Sequence, residues 1–109
     1  MNWIALTSEE QINEIRERST QRPQVIFKHS TRCGISAMAK NRLEKANPVE
    51  AADFYYLDLI NYRSISHKVA EEFNVYHESP QVLVIRNGEC VYDESHLGIS
   101  MDDIREHAA

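Results

Sequence analysis

The chain is poor in the residues that break or cross-link structure: three glycines, three prolines and two cysteines in 109 residues. So few breakers, with no low-complexity tract or internal repeat, argue against linkers and second modules. A single domain over residues 1–109 is expected, with one modest core. Two cysteines, Cys33 and Cys90, are too few for a disulfide framework. Long apolar runs are also missing. The stretch FYYL at 54–57 is far too short to cross a membrane, and MNWIALTSEEQ lacks the basic and apolar regions of a secretory signal. These deficits together point to a reducing, cytoplasmic setting. An excess of positive charge is lacking too: the net charge of −5 disfavours nucleic acid and anionic membranes as partners.

What is present is a regular alternation of elements. Residues 2–6 suit a short strand, and Thr7 with Glu10 has the spacing of a capping box that opens a helix to about Arg18. Glu9, Glu10, Glu14 and Glu17 form that helix's solvated face. QVIFKH (24–29) reads as a buried strand, and a helix follows from Gly34 to about Ala46. Ile35, Ala39, Leu43 and Ala46 are predicted to share its inner face. DFYYLDLI (53–60), apolar on both faces, predicts an interior strand. A helix over 62–73 would bury Ile65, Val69 and Phe73. PQVLVIR (80–86) and ECVYDE (89–94) flank Asn87-Gly88, a strong hairpin signal, and a helix over about 100–107 ends the pattern. Trp3 and the tyrosines are read as core or sheet packing. The order predicts an α/β, thioredoxin-like fold: a mixed four- to five-stranded sheet with helices on both faces.

Cys33 falls where strand 24–29 meets helix 34–46, at or beside the helix N-cap. Amides of Ile35 and Ser36 would point at its sulfur, and the helix dipole favours negative charge there. Such surroundings lower a thiol pKa. Lys28, His29 and Arg32 could add positive potential, and Lys40 and Arg42 extend the basic run. Lowering the pKa from about 8.5 to about 6.5 raises the thiolate fraction at pH 7 roughly 25-fold. Intrinsic nucleophilicity falls roughly tenfold over that interval. Attack therefore gains only a few-fold, and the greater benefit is a sulfur that also leaves well.

Where a dithiol enzyme keeps a resolving thiol, three residues after the first, this chain has Ser36. Serine cannot close a disulfide but can cap a helix and donate a hydrogen bond. That predicts a one-cysteine cycle at Cys33, cleared by an external thiol. Cys90, just past the Asn87-Gly88 turn, belongs at the opposite pole of the sheet, about 17 Å away across a five-residue strand. It is read as a packing residue. His29, Cys33 and His77 sit on separate segments without zinc-ligand spacing, so no metal is expected. His67, His96 and His107 are read as surface residues.

FKHSTRCGIS (27–36) resembles the FKHS-T-x-C-P-I-S active-site stretch of the monothiol bacilliredoxins, the YtxJ-type bacillithiol-system proteins. His77-Glu78-Ser79-Pro80-Gln81 resembles that family's HESPQ segment, and the likeness spans nearly the whole chain. The resemblance implies a thioredoxin-like fold and removal of bacillithiol from protein mixed disulfides. Cys33 would be the reactive cysteine; Ser36, Gly34, Lys28, His29 and Arg32 around it are read from their positions as supporting the site. Pro80 would be a cis-proline opposite the sulfur, and it would leave the Ser79 backbone free for substrate to add as a strand. Bacillithiol would be a co-substrate, with no bound cofactor. The partners implied are bacillithiolated proteins and a low-molecular-weight thiol or reductase.

One departure is Gly34, which stands where the family usually has proline. It creates CGIS, which looks like the CGFS of monothiol glutaredoxins that hold an iron–sulfur cluster with glutathione. Those proteins usually carry T-V-P at the cis-proline, whereas this chain has Glu78-Ser79-Pro80. Ile99-Ser100-Met101 likewise replaces their Gly-Gly before Asp102-Asp103. A cluster carrier and a non-catalytic thioredoxin-like interaction module are the alternative readings.

Overall fold

The computed structural model describes all of residues 1–109. Its elements run β1 (Trp3–Ala5), α1 (Glu9–Arg18), β2 (Gln24–His29), α2 (Gly34–Lys45), β3 (Asp53–Asp58), α3 (Arg63–Phe73), β4 (Gln81–Arg86), β5 (Glu89–Ser95) and α4 (Met101–Ala108). A single 3₁₀ turn, His96–Gly98, links β5 to α4.

The strands form one five-stranded sheet in the order β1-β3-β2-β4-β5. β3 runs parallel to both β1 and β2, while β4 is antiparallel to β2 and β5 to β4. The Asn87-Gly88 turn has positive φ at both positions, 51° and 79°. This is the backbone of a type I′ hairpin turn, whose twist matches that of the strands it joins.

All six residues of β2 are buried, because helices cover both faces of the sheet. On one face Val25, Phe27, Phe54, Val82 and Val84 pack against Ala39 and Leu43 of α2 and Met101 and Ile104 of α4. On the other, Ile26, Leu57, Leu83 and Ile85 meet Ile12 and Ile15 of α1 and Ile65, Val69 and Phe73 of α3. Side chains alternate between faces along a strand. Lys28 therefore falls on the α1/α3 side with Ile26, and His29 falls on the α2 side with Phe27.

Three local expectations need correcting. The capping interaction of α1 uses Ser8 and Gln11, not Thr7 and Glu10: Gln11 Oε1 accepts from the Ser8 N–H at 3.1 Å and the Thr7 N–H at 2.7 Å. The inner face of α2 is Ser36, Ala39 and Leu43, and Ile35 is 43 % exposed. Tyr76 is 94 % exposed and Tyr62 is 37 % exposed, so the tyrosines are not all packing residues. No helix is long and apolar enough to cross a membrane.

Candidate functional site

Cys33 is the N-cap of α2, in extended conformation with φ −110° and ψ 122°. Its carbonyl accepts the Ala37 N–H at 3.0 Å, and its own N–H donates to Ser30 O at 3.2 Å. The thiol is free and partly exposed. Its sulfur accepts no capping hydrogen bond, so the amides of Ile35 and Ser36 do not close on it as expected. The contribution of α2 is thus the field of its N-terminus and not a direct bond.

Ser36 does not cap the helix. It is fully buried and turns back beneath the Cys33 loop, where its Oγ accepts the Ser30 N–H at 3.0 Å and stands 2.7 Å from His29 Nδ1. His29 is itself buried and closes a row of rings. Trp3 stacks on Phe27 at 5.7 Å, Phe27 on His29 at 5.8 Å, and Tyr56 lies 5.5 Å from His29. Burial first, and then the Lys40 ammonium, hold the His29 imidazole below its ordinary pKa. A neutral ring hydrogen-bonded to Ser36 is what that environment favours.

The basic residues near Cys33 in sequence do not gather at its sulfur as one patch. Lys28 is completely buried on the opposite face of the sheet, where it donates to Ser66 O at 3.2 Å and meets His77 Nδ1 at 3.3 Å. It cannot reach a ligand at the thiol, contrary to expectation. Lys40 pairs with Glu44 at 3.1 Å and lies over the Tyr56 ring. Arg42 donates to Leu97 O. Arg32 is exposed and, alone of these cations, makes no ion pair or hydrogen bond within the chain.

The second half of the site comes from the start of β4. Lys28 pairs with Gln81 in the β2–β4 register, so Pro80 lies level with His29, at the pole from which the Cys33 loop departs. The Ser79–Pro80 bond is cis. Ser79 takes part in no backbone hydrogen bond, and its buried Oγ also has no partner. The 3₁₀ turn reaches the same pole, since the His96 N–H donates to Pro80 O at 3.0 Å. Three chain segments therefore converge there: the Cys33 loop, the Ser79–Pro80 edge and the His96–Gly98 turn. Leu97 at 61 %, Met38 at 57 % and Ile35 at 43 % leave apolar surface open on α2 and the turn.

Cys90 is remote from this pole. It pairs with Ile85, which pairs with Gln24 at the far end of β2. Burial pushes its thiol up to about 11, the behaviour of a packing residue. His77 does not join Cys33 in a cluster. It instead packs on the α3 side, stacked on His67 at 6.1 Å. No three His, Cys, Asp or Glu side chains converge as metal ligands would.

A five-stranded mixed sheet wrapped by four helices, with a cysteine at the N-cap of α2 and a cis-proline opening β4, defines a thioredoxin-fold redox protein. One solved structure, described as having a thioredoxin fold and provisionally as an oxidoreductase, is 32 % identical with a TM-score of 0.84, over 97 % of this chain and 93 % of its own. The thioredoxins of Malassezia sympodialis and Trypanosoma brucei brucei share the fold at 17 % and 19 % identity, both with TM-scores of 0.76. They cover 99 % and 97 % of this chain, which in turn spans 92 % and 87 % of them. The monothiol bacilliredoxin family model (BrxC) matches residues 4–104. The chain belongs to that family.

Proposed function

We propose that the protein removes bacillithiol from protein mixed disulfides by thiol exchange at Cys33. The Cys33 thiolate attacks the bacillithiol sulfur of a protein–S–S–bacillithiol bond. A Cys33–bacillithiol disulfide forms, and the protein sulfur leaves as a thiolate that takes up a proton. A second thiol or a reductase then attacks the bacillithiol sulfur, and Cys33 is released as thiolate. Each step exchanges one disulfide for another, so no bound cofactor is needed.

The observation that carries this reading is the pairing of a lone, partly exposed cysteine at a helix N-cap with an unpaired backbone at Ser79. A substrate chain can add beside Ser79 as a strand with its disulfide at the sulfur. Ser36 fills the place of a resolving thiol and is occupied by His29 and Ser30, which leaves the adduct to an external thiol. Arg32 is the cation free to meet bacillithiol's malate carboxylates.

The test compares bacillithiol-capped and glutathione-capped forms of one model protein as substrates. Faster turnover of the bacillithiol form, weakened several-fold in Arg32→Gln, is the expected result. Turnover of the glutathione form alone would point to glutaredoxin-type chemistry and overturn the reading.

A further inference from the structure

Lys28 is an anomaly in its setting. Its side chain is completely buried on the face of the sheet lined by Ile26, Leu57, Ile65 and Leu83, and no carboxylate lies within ion-pair distance. A buried ammonium without a counter-charge is expensive, and methionine would fill the same space. What Lys28 does have is two acceptors, Ser66 O at 3.2 Å and His77 Nδ1 at 3.3 Å.

An ammonium can only donate. His77 Nδ1 must therefore accept, and the ring proton sits on Nε2. The Ser66 hydroxyl, 3.1 Å from the same Nδ1, adds a second donor to that side. The orientation and tautomer of His77 are thus set from below the loop that carries it.

That loop, residues 74–80, leads into the substrate edge. Gln81, the register partner of Lys28, grips it from the sheet: its Nε2 donates to Tyr76 O at 2.8 Å and its Oε1 accepts the Glu78 N–H at 3.4 Å. Two strands thus hold residues 76–78 through side chains, and the next residue, Ser79, makes no backbone hydrogen bond. Lys28 also belongs to the strand that runs on into the Cys33 loop. The buried Lys28–His77 contact therefore adds a side-chain tie between the two halves of the site, beside the β2–β4 ladder.

We propose that Lys28 and His77 are positioning residues: their hydrogen bond holds the Ser79–Pro80 edge in register with Cys33, so that a substrate strand lies along it with its disulfide at the sulfur. This rests on the exchange chemistry proposed above. It also makes the edge sensitive to acid. The charged and titratable groups around the His77 ring are Lys28 from β2, His67 and Arg63 from α3, and Glu78 beside it in the loop. Burial, then Lys28 and His67, oppose its protonation. Once protonated, Nδ1 becomes a donor facing an ammonium, and the tie is lost.

The test uses Lys28→Met, His77→Ala and His77→Asn, the last of which keeps an acceptor where Nδ1 was. Two reactions are followed: exchange with a bacillithiol-capped protein, which needs the edge, and alkylation of Cys33 by iodoacetamide, which needs only the sulfur. Nitrogen NMR of the imidazole reads the His77 tautomer and titration directly. Lys28→Met and His77→Ala are expected to slow exchange at least fivefold, chiefly through KM, with alkylation within twofold of wild type. His77→Asn should recover most of the loss, and in Lys28→Met the His77 pKa should rise. An active wild type whose variants keep its exchange rate overturns the positioning role alone, as does alkylation falling in step with exchange. A His77 titration unmoved by Lys28→Met overturns the contact. A wild type that transfers no bacillithiol overturns the exchange reading, and the positioning role falls with it.

Discussion

Ser36 Oγ stands 2.7 Å from His29 Nδ1, and both side chains are buried beneath the loop that carries Cys33. The hydroxyl also accepts the Ser30 N–H at 3.0 Å, so one serine joins the end of β2 to the first turn of α2. Ser36→Ala leaves the Ser30 amide and the His29 ring nitrogen without that partner in a buried space. Buried polar groups left unpaired cost about 1–3 kcal/mol. Urea unfolding at pH 7 should show a loss of that size, and a loss under about 0.5 kcal/mol would contradict the bond's role.

Lys28 offers a pH-dependent signature. Burial lowers its ammonium pKa to about 8, whereas an unfolded lysine titrates near 10.4. Between those values the unfolded chain binds more protons, so this group's contribution to stability rises with pH. It is fully present above about 10.4 and lost as the pH falls through about 8. Cys90, pushed up to about 11, acts in the opposite sense, because the unfolded thiol ionises first. Comparing wild type with Lys28→Met cancels the cysteine. The stability difference in favour of methionine should shrink by about 2–3 kcal/mol between pH 7 and pH 10.5. A difference constant with pH would mean that burial does not lower the Lys28 pKa.

Gly34 occupies the first position of α2, and a Cβ there meets nothing within 4 Å. Cys33 already has the extended backbone that a following proline requires, and the first amide of a helix has no intrahelical acceptor to lose. Gly34→Pro should therefore stabilise the fold by about 0.4–1 kcal/mol by restricting the unfolded chain. Thermal unfolding decides it. A fall in Tm would mean that the loop before α2 needs glycine's freedom.

The two thiols should differ sharply in reactivity. Cys90 is part of the β4–β5 hairpin, donates weakly to Tyr92 O at 3.3 Å, and is held protonated by burial. In the folded protein at pH 8, iodoacetamide should add one label, on Cys33, and a second only after denaturant is added. Peptide mapping that finds Cys90 labelled at the rate of Cys33 would remove its assignment as a packing residue.

These residues show what was legible from the chain and what was not. The strand QVIFKH, the Asn87-Gly88 turn and the face Ile65, Val69, Phe73 are local patterns, and the structure keeps all three. Cys33 at the strand-to-helix junction was legible for the same reason. The cis form of Ser79–Pro80 was implied by the family resemblance, since no local pattern in the sequence announces it. The direction of Lys28 could not be read. A strand covered on both faces has no outward side, so its charged residue must turn into the core and find acceptors from α3 and a distant loop. The inner face of α2 was misread because apolar Ile35 outranked Ser36 in a periodicity argument. The bond that draws Ser36 inward comes from His29, seven residues earlier, and periodicity does not register it. The capping of α1 shifted by one residue because Gln11 reaches both the Ser8 and Thr7 amides, an alternative that its spacing from Ser8 allows.

The most direct test of the exchange at Cys33 is intact mass after mixing the reduced protein with a bacillithiol-capped model protein. Wild type and Cys90→Ala should each gain the mass of one bacillithiol as the partner loses it, and Cys33→Ala should gain nothing. Transfer that survives in Cys33→Ala, or no adduct on any of the three proteins, would contradict the account.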